Sequence, residues 1–366
     1  MHDLGNIIND ASGTIYIFNK GMNMASAKMD GIQIAGIATS TPANRFDNLK
    51  DTADFTPEEV KKVVGMAGIK ERRLANEDTC SSDLCIAAGR TLLDEIGWEP
   101  GSVNALIFIT QSPDYFLPQT SSIIHRSLLL SEDCAAIDVG LGCSGYPYGL
   151  WLSTMMIKSS GFKRVLLCHG ETPGRFSLGG DRAVALLFGD AGSATAIETA
   201  AKDGSVPSTF VLQTDSKGSN DMIIEGGGFR NRFPEDQSKY YVKMDGAGIF
   251  NFTLKRVPGL ITATLEKAGM KKEEIDYYIF HQSNFFIMKH LANKIGIPIE
   301  KIPVIIDRFG NTGGPSIPLT ITQSQLEMPK DRDTKLMLVA YGVGLSWASA
   351  LIHLNKDVVL KHVDYQ

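Results

Sequence analysis

Apolar and polar positions along this chain alternate between two spacings. Asn104–Thr110 (NALIFIT), Ala135–Val139 (AAIDV) and Val165–Cys168 (VLLC) are short apolar runs, read as buried strands. Gln119–Leu130 and Ser144–Ser159, between them, read as helices. Strands alternating with helices imply crossover units and a largely parallel sheet. Ile32–Ile37, Asp190–Glu198 and Thr209–Thr214 add strands, Gly218–Arg230 forms Gly-rich loops, and a long helix runs from about Phe250 to Lys267.

The second half repeats the plan of the first. Ile279-Phe280-His281-Gln282-Ser283 parallels Ile109-Thr110-Gln111-Ser112, Ile305–Asn311 parallels Ile137–Cys143, and Lys335–Tyr341 parallels Arg164–His169. Gln282 lies 171 positions after Gln111, Asn311 168 after Cys143, and Leu338 172 after Leu166. A shared offset this long is no solenoid repeat. It predicts two similar α/β halves, residues 29–205 and 206–366, packed about a pseudo-two-fold axis. Residues 1–28 are polar, lack a signal-peptide pattern and precede the first strand-like run, so they are read as an N-terminal extension outside the fold.

Composition narrows the class. With 43% hydrophobic and 21% charged residues, the chain is neither disordered nor a disulfide scaffold. The net charge of −5 argues against nucleic-acid binding, which needs a basic surface. No apolar run reaches the ~18 residues of a membrane span. The five cysteines, Cys80, Cys85, Cys134, Cys143 and Cys168, include no C-x-x-C pair and no metal-ligand spacing, so no metal is expected. Free thiols point to a reducing cytoplasm.

Candidate chemistry sits at strand ends, where parallel sheets place their sites. Cys143 lies where a strand ends, a tight turn follows and a helix begins, within Asp138–Leu150. A helix N-terminus favours a thiolate, so its pKa is expected to be depressed. The other four cysteines read as structural. His281 ends the strand-like Tyr277–Phe280 and leads into Gln282-Ser283-Asn284. Asn311 sits in a Gly-rich loop that leads into a helix, with Ser316 as a candidate cap. If the halves meet face to face, Cys143, His281 and Asn311 converge. Two other readings of these residues carry less weight. Gly140-x-Gly142-x-x-Gly145 satisfies the dinucleotide pattern, yet it lies deep in the chain and holds a cysteine in the phosphate turn. The cysteine–histidine–asparagine order of a papain-like protease lacks that family's local signature.

At these residues the chain resembles the β-ketoacyl-acyl-carrier-protein synthase III family of the thiolase superfamily. The motifs are Gly68-Ile-Lys-Glu-Arg-Arg73, Asp138–Tyr148, Leu187-Phe-Gly-Asp-Ala-Gly192, His281-Gln-Ser-Asn284, Gly310-Asn-Thr312 and Gly342-Val-Gly-Leu-Ser-Trp347, in order along residues 30–355. The resemblance implies a thiolase-like fold, with two duplicated α/β halves in a five-layered αβαβα sandwich. It implies that Cys143 takes an acyl group from a thioester, with the backbone N–H groups of Cys143 and Val343 as oxyanion hole. His281 and Asn311 would assist decarboxylation of a malonyl thioester, whose carbon then attacks the acyl group. No cofactor is implied beyond coenzyme A or acyl-carrier-protein thioesters as substrates. Acyl carrier protein and a second copy of the chain, as a homodimer, are the implied partners.

Arg182 and Asn284 would contact coenzyme A or pantetheine, and Phe116 and Leu117 occupy the stretch where the family's partner subunit closes the acyl pocket. Departures from the family pattern are Lys62 and Met66 where Trp and Arg are usual, and Asn251 and Phe286 at basic docking positions. Lys255, Arg256 and Lys289 lie nearby and are candidate replacements. Pro315 departs from the usual small residues. Two other functions share these residues: acyl transfer to an alcohol or amine without carbon–carbon bond formation, and a non-catalytic binding subunit. The intact Cys143/His281/Asn311 set argues against the latter.

Overall fold

A computed structural model describes residues 25–200 and 206–366, with the backbone of two short paired strands, Asn6–Asn9 and Ile15–Phe18. Two sheets carry the fold. The first has six strands in the order Val359–Tyr365, Ile32–Pro42, Ala191–Thr199, Arg164–Glu171, Ala105–Ile109, Ala135–Val139. The second has five, in the order Tyr277–Phe280, Thr334–Gly342, Ser346–Leu354, Ser208–Thr214, Ser26–Met29.

The duplication is visible strand by strand. Ala105–Ile109 pairs in parallel with Arg164–Glu171, as Tyr277–Phe280 does with Thr334–Gly342. Each pair continues into two antiparallel neighbours. The halves differ from the expected boundaries in two ways. Ser26–Met29 pairs with Ser208–Thr214 in the second sheet, so residues 26–28 belong to the fold and not to an extension. Val359–Tyr365, at the other end of the chain, pairs with Ile32–Pro42 in the first sheet. Each half therefore lends a terminal strand to the other.

The strand expected at Ile305–Asn311 is a short helix, Ile306–Phe309. The second sheet thus lacks a counterpart to Ala135–Val139. That strand is an exposed edge, against the expectation of burial, because among the described residues only Ala105–Ile109 pairs with it.

Layering follows from strand periodicity. Ile107 and Ile109 face inward, where they join Leu338 and Ala340 of the second sheet and Tyr146, Leu150, Ile317 and Ile321 of two central helices. Leu106 and Phe108 face outward onto the helix Ser81–Ile96. On the far side Gly246–Ala268 and Phe285–Ile295 cover Met337 and Val339. The result is a five-layered αβαβα sandwich. The central helices Gly145–Ser160 and Ser316–Gln323 start beside Cys143 and Asn311, so the innermost layer sets the geometry of the site. Gly149 permits this approach. A Cβ there would lie 2.6 Å from both Ile109 and Leu167.

Candidate active site

Cys143, His281 and Asn311 line one cavity of about 250 Å³, although they come from different halves. Each reaches it by a distinct local device. Cys143 stands on the turn before the helix Gly145–Ser160, in contact with the end of the strand Thr334–Gly342. A Cβ at Gly342 would come 2.8 Å from the Cys143 Sγ, so only glycine leaves room for the sulfur. The backbone N–H groups of Val343 and Cys143 both donate toward that sulfur.

The thiol is not depressed as expected from the helix start. Burial pushes it up to about 11, and the neighbouring Glu171 carboxyl adds to the rise. The helix begins at Gly145 with Ser144 as its cap, so Cys143 lies outside the first turn where the dipole acts most strongly. Desolvation therefore outweighs the field and the two N–H groups.

His281 is buried at the end of Tyr277–Phe280. Its Nδ1 lies 2.8 Å from the Ser316 Oγ. Ser316 was expected to cap its helix; Pro315 holds the cap position and the serine hydroxyl serves His281 and, at 3.3 Å, the Gln282 N–H. Burial lowers His281 to about 4, with the Gly313 backbone opposing, so the ring is neutral at physiological pH. The Oδ1 of Asn311 accepts the Gly313 N–H at 3.0 Å. Its backbone bridges to Phe188. This fixes the amide and leaves its NH₂ group for the cavity.

A second cavity of about 300 Å³ meets the first at Cys143. Phe176, Phe188, Ile223, Ile224 and Val242 give it an apolar lining, and Glu171 and Val343 lie on its wall. Neither Glu171 nor His169 stands among the candidates read from the sequence. The signal was the run Cys168-His-Gly-Glu171 at the end of an otherwise apolar strand.

The remaining expected site residues divide. Arg182 and Asn284 line the first cavity. Arg182 is ion-paired with Glu59 at its exposed rim. The Asn284 side chain caps the helix Phe285–Ile295, accepting the Phe286 N–H at 2.8 Å. Phe116 and Leu117, implied where a partner subunit closes the acyl pocket, line neither cavity of the single chain and are 65% and 86% exposed. Phe116 meets only the Phe229 ring, at 5.6 Å, among the described aromatic residues. Lys255 and Lys289 are exposed. Arg256 is paired with Asp215 at 2.7 Å and stacked over Trp347 at 5.3 Å.

A nucleophile turn from one half, facing a histidine and an asparagine from its duplicate across a shared helical layer, defines a thiolase-like fold. Residues 137–216 match the family described as 3-oxoacyl-[acyl-carrier-protein (ACP)] synthase III, and residues 265–354 match its C-terminal part. The β-ketoacyl-[acyl-carrier-protein] synthase III of Clostridium perfringens is 31% identical over 330 residues, which cover 89% of this chain and 100% of that protein. The enzyme of the same name from Syntrophomonas wolfei is 30% identical over 89% of this chain and 98% of its own length. The crystal structure of a 3-oxoacyl-(acyl-carrier protein) synthase from Burkholderia xenovorans LB400 superposes with a TM-score of 0.89 at 39% identity, covering 93% of this chain and 99% of that one. The chain belongs to the 3-oxoacyl-[acyl-carrier-protein] synthase III family, whose members are acyltransferase-class enzymes. Among the described residues no helix is long and apolar enough to cross a membrane.

Proposed function

We propose that this enzyme loads an acyl group onto Cys143 and condenses it with malonyl-acyl-carrier protein to give a 3-oxoacyl thioester. The carrying observation is that two cavities, one polar at its rim and one apolar, meet at the Cys143 sulfur. The first fits a pantetheine arm arriving past Arg182 and Asn284; the second fits the acyl chain.

The Cys143 sulfur attacks the donor thioester and the donor thiol leaves with the proton. The Cys143 and Val343 N–H groups stabilise the oxyanion that forms on attack, before the donor thiol departs. In the second step malonyl-acyl-carrier protein enters the emptied cavity. Loss of CO₂ leaves an enolate whose oxygen is held by His281 and the Asn311 amide. A neutral imidazole suits this role, since it can donate from Nε2 while Nδ1 rests on Ser316. The enolate carbon attacks the acyl carbonyl, and Cys143 departs as thiolate. Every electron pair is supplied by this chain or its substrates, so we propose no resident metal or redox cofactor.

Exposed Lys255 and Lys289 are the proposed contacts for the acidic carrier protein. A homodimer is proposed from the edge strand Ala135–Val139, which exposes Ile137, and from the exposed Phe116 and Leu117. The five free thiols suit a cytoplasmic enzyme.

The test combines intact-mass detection of acyl-Cys143 with CO₂ release from malonyl-acyl-carrier protein. Cys143→Ala is expected to abolish the adduct; His281→Ala is expected to keep it while CO₂ release falls. Acyl transfer to an alcohol or amine without CO₂ release would overturn the condensing reading.

A further inference from the structure

One buried acid beside the nucleophile has no part in the steps above. Glu171 ends the strand Arg164–Glu171, is 4% exposed, and shares the wall of the second cavity with Cys143. Its Oε1 accepts the Gln111 N–H at 2.9 Å and its Oε2 accepts the Ser112 hydroxyl at 3.1 Å. Both donors are neutral.

The basic side chain near it is His169, whose Nε2 lies 4.0 Å from Oε1. That ring is fully buried, wedged where Gly145 and Gly314 leave space, and neither nitrogen has a hydrogen-bond partner. Burial, with His281 close by, drives His169 down to about 3 and keeps it neutral. The other ionisable groups that face Glu171 are Asp190, before the neighbouring strand, Cys85 on the helix Ser81–Ile96, and Cys143 itself. All three become anions when they ionise. Among the described residues the Glu171 carboxylate therefore has no counter-charge, and burial raises it to about 8.

We propose that Glu171 is a positioning residue that governs Cys143: as a neutral acid it permits the thiolate, and as a carboxylate it suppresses it. The two groups share one poorly hydrated cavity, so their ionisations compete and the pair loses its protons in two separated steps. This inference rests on Cys143 being the nucleophile and adds what sets its reactivity.

The test follows iodoacetamide alkylation of Cys143 from about pH 6 to about pH 10 by peptide mass mapping, with no acyl donor or carrier protein present. Glu171→Gln keeps the side-chain size and one acceptor oxygen but stays neutral throughout. Its Cys143 should alkylate at least about fivefold faster than wild type near pH 9, with the midpoint moved down. Ser112→Ala removes a donor that favours the carboxylate, so it should shift the profile the same way by a smaller amount. Should Glu171→Gln fail to fold, Ser112→Ala with wild-type melting carries the test. Superimposed or slower profiles, or a Cys143 unreactive in every form, would overturn the proposal. A shifted profile without acyl uptake from any thioester would instead count against the proposed function alone.

Discussion

Ser316 Oγ and His281 Nδ1 lie 2.8 Å apart, which occupies one nitrogen of a ring that lines the same cavity as Cys143 and Asn311. The serine sits on the central helix Ser316–Gln323 and the histidine at a strand end, so fold and tautomer are linked. Ser316→Ala should leave acyl-Cys143 formation within about twofold of wild type and slow decarboxylation about tenfold, the value of one net hydrogen bond. Rapid-quench measurement of CO₂ release beside adduct mass separates the steps. Equal loss in both would refute the link.

Gly342 and Cys143 give a second prediction. An alanine Cβ at position 342 would sit 2.7 Å from the Cys143 Cβ and 2.8 Å from its sulfur. Something must shift, and both atoms belong to Cys143, on the turn that leads into the buried central helix Gly145–Ser160. Gly342→Ala should slow acylation more than tenfold and destabilise the protein by about 1–3 kcal/mol, the usual cost of overpacking. Urea denaturation beside acylation kinetics checks both. Near-wild-type acylation would show that the sulfur has room elsewhere.

These pairings also mark how far the sequence could be read. The strands NALIFIT and VLLC were legible because burial on both faces leaves no polar position to confuse the period. The convergence of Cys143, His281 and Asn311 was legible because the duplication offset pairs the Cys143 turn with the Asn311 loop, each leading into a central helix. Three features were not legible. The Ser316 hydroxyl has the same local signature as a helix cap, and only the tertiary approach of His281 redirects it. The Cys143 thiol follows its burial, which no local pattern records. The place of Phe116 and Leu117, which the resemblance puts where a partner subunit closes the acyl pocket, depends on a second copy, and in the single chain they are exposed.

Stability should depend on pH through the same buried groups. His281 and His169 titrate near 4 and 3 in the folded chain against an ordinary 6.5. The unfolded chain therefore takes up protons first as pH falls, and stability present above about 6.5 is lost on the way down toward 4. For His281 alone the loss is bounded at about 3 kcal/mol. Glu171 acts in the opposite sense: its folded value of about 8 lies above the ordinary 4.5, so the folded chain holds an extra proton and stability declines as pH rises across that window. Calorimetric melting across pH should show a shallower acid limb for His281→Gln and a shallower alkaline limb for Glu171→Gln. An unchanged acid limb in His281→Gln would show that this histidine is not the group responsible.

The exposed lysines supply the last prediction. Lys255 and Lys289 lie on the adjacent helices Gly246–Ala268 and Phe285–Ile295, the second of which begins beside the first cavity at Asn284. Arg256, one residue from Lys255, is tied to Asp215 and Trp347 instead. Charge reversal should therefore separate neighbours. Lys255→Glu and Lys289→Glu should raise KM for malonyl-acyl-carrier protein about three- to tenfold with kcat and melting temperature nearly unchanged, and added salt should shrink the difference. Arg256→Glu should lower the melting temperature by breaking a half-buried pair and a ring contact, with little specific effect on KM. Steady-state kinetics at two ionic strengths beside thermal melts read all of these. If Arg256→Glu raised KM as strongly as the lysine variants while melting normally, its pairing with Asp215 would have to open for the carrier to dock.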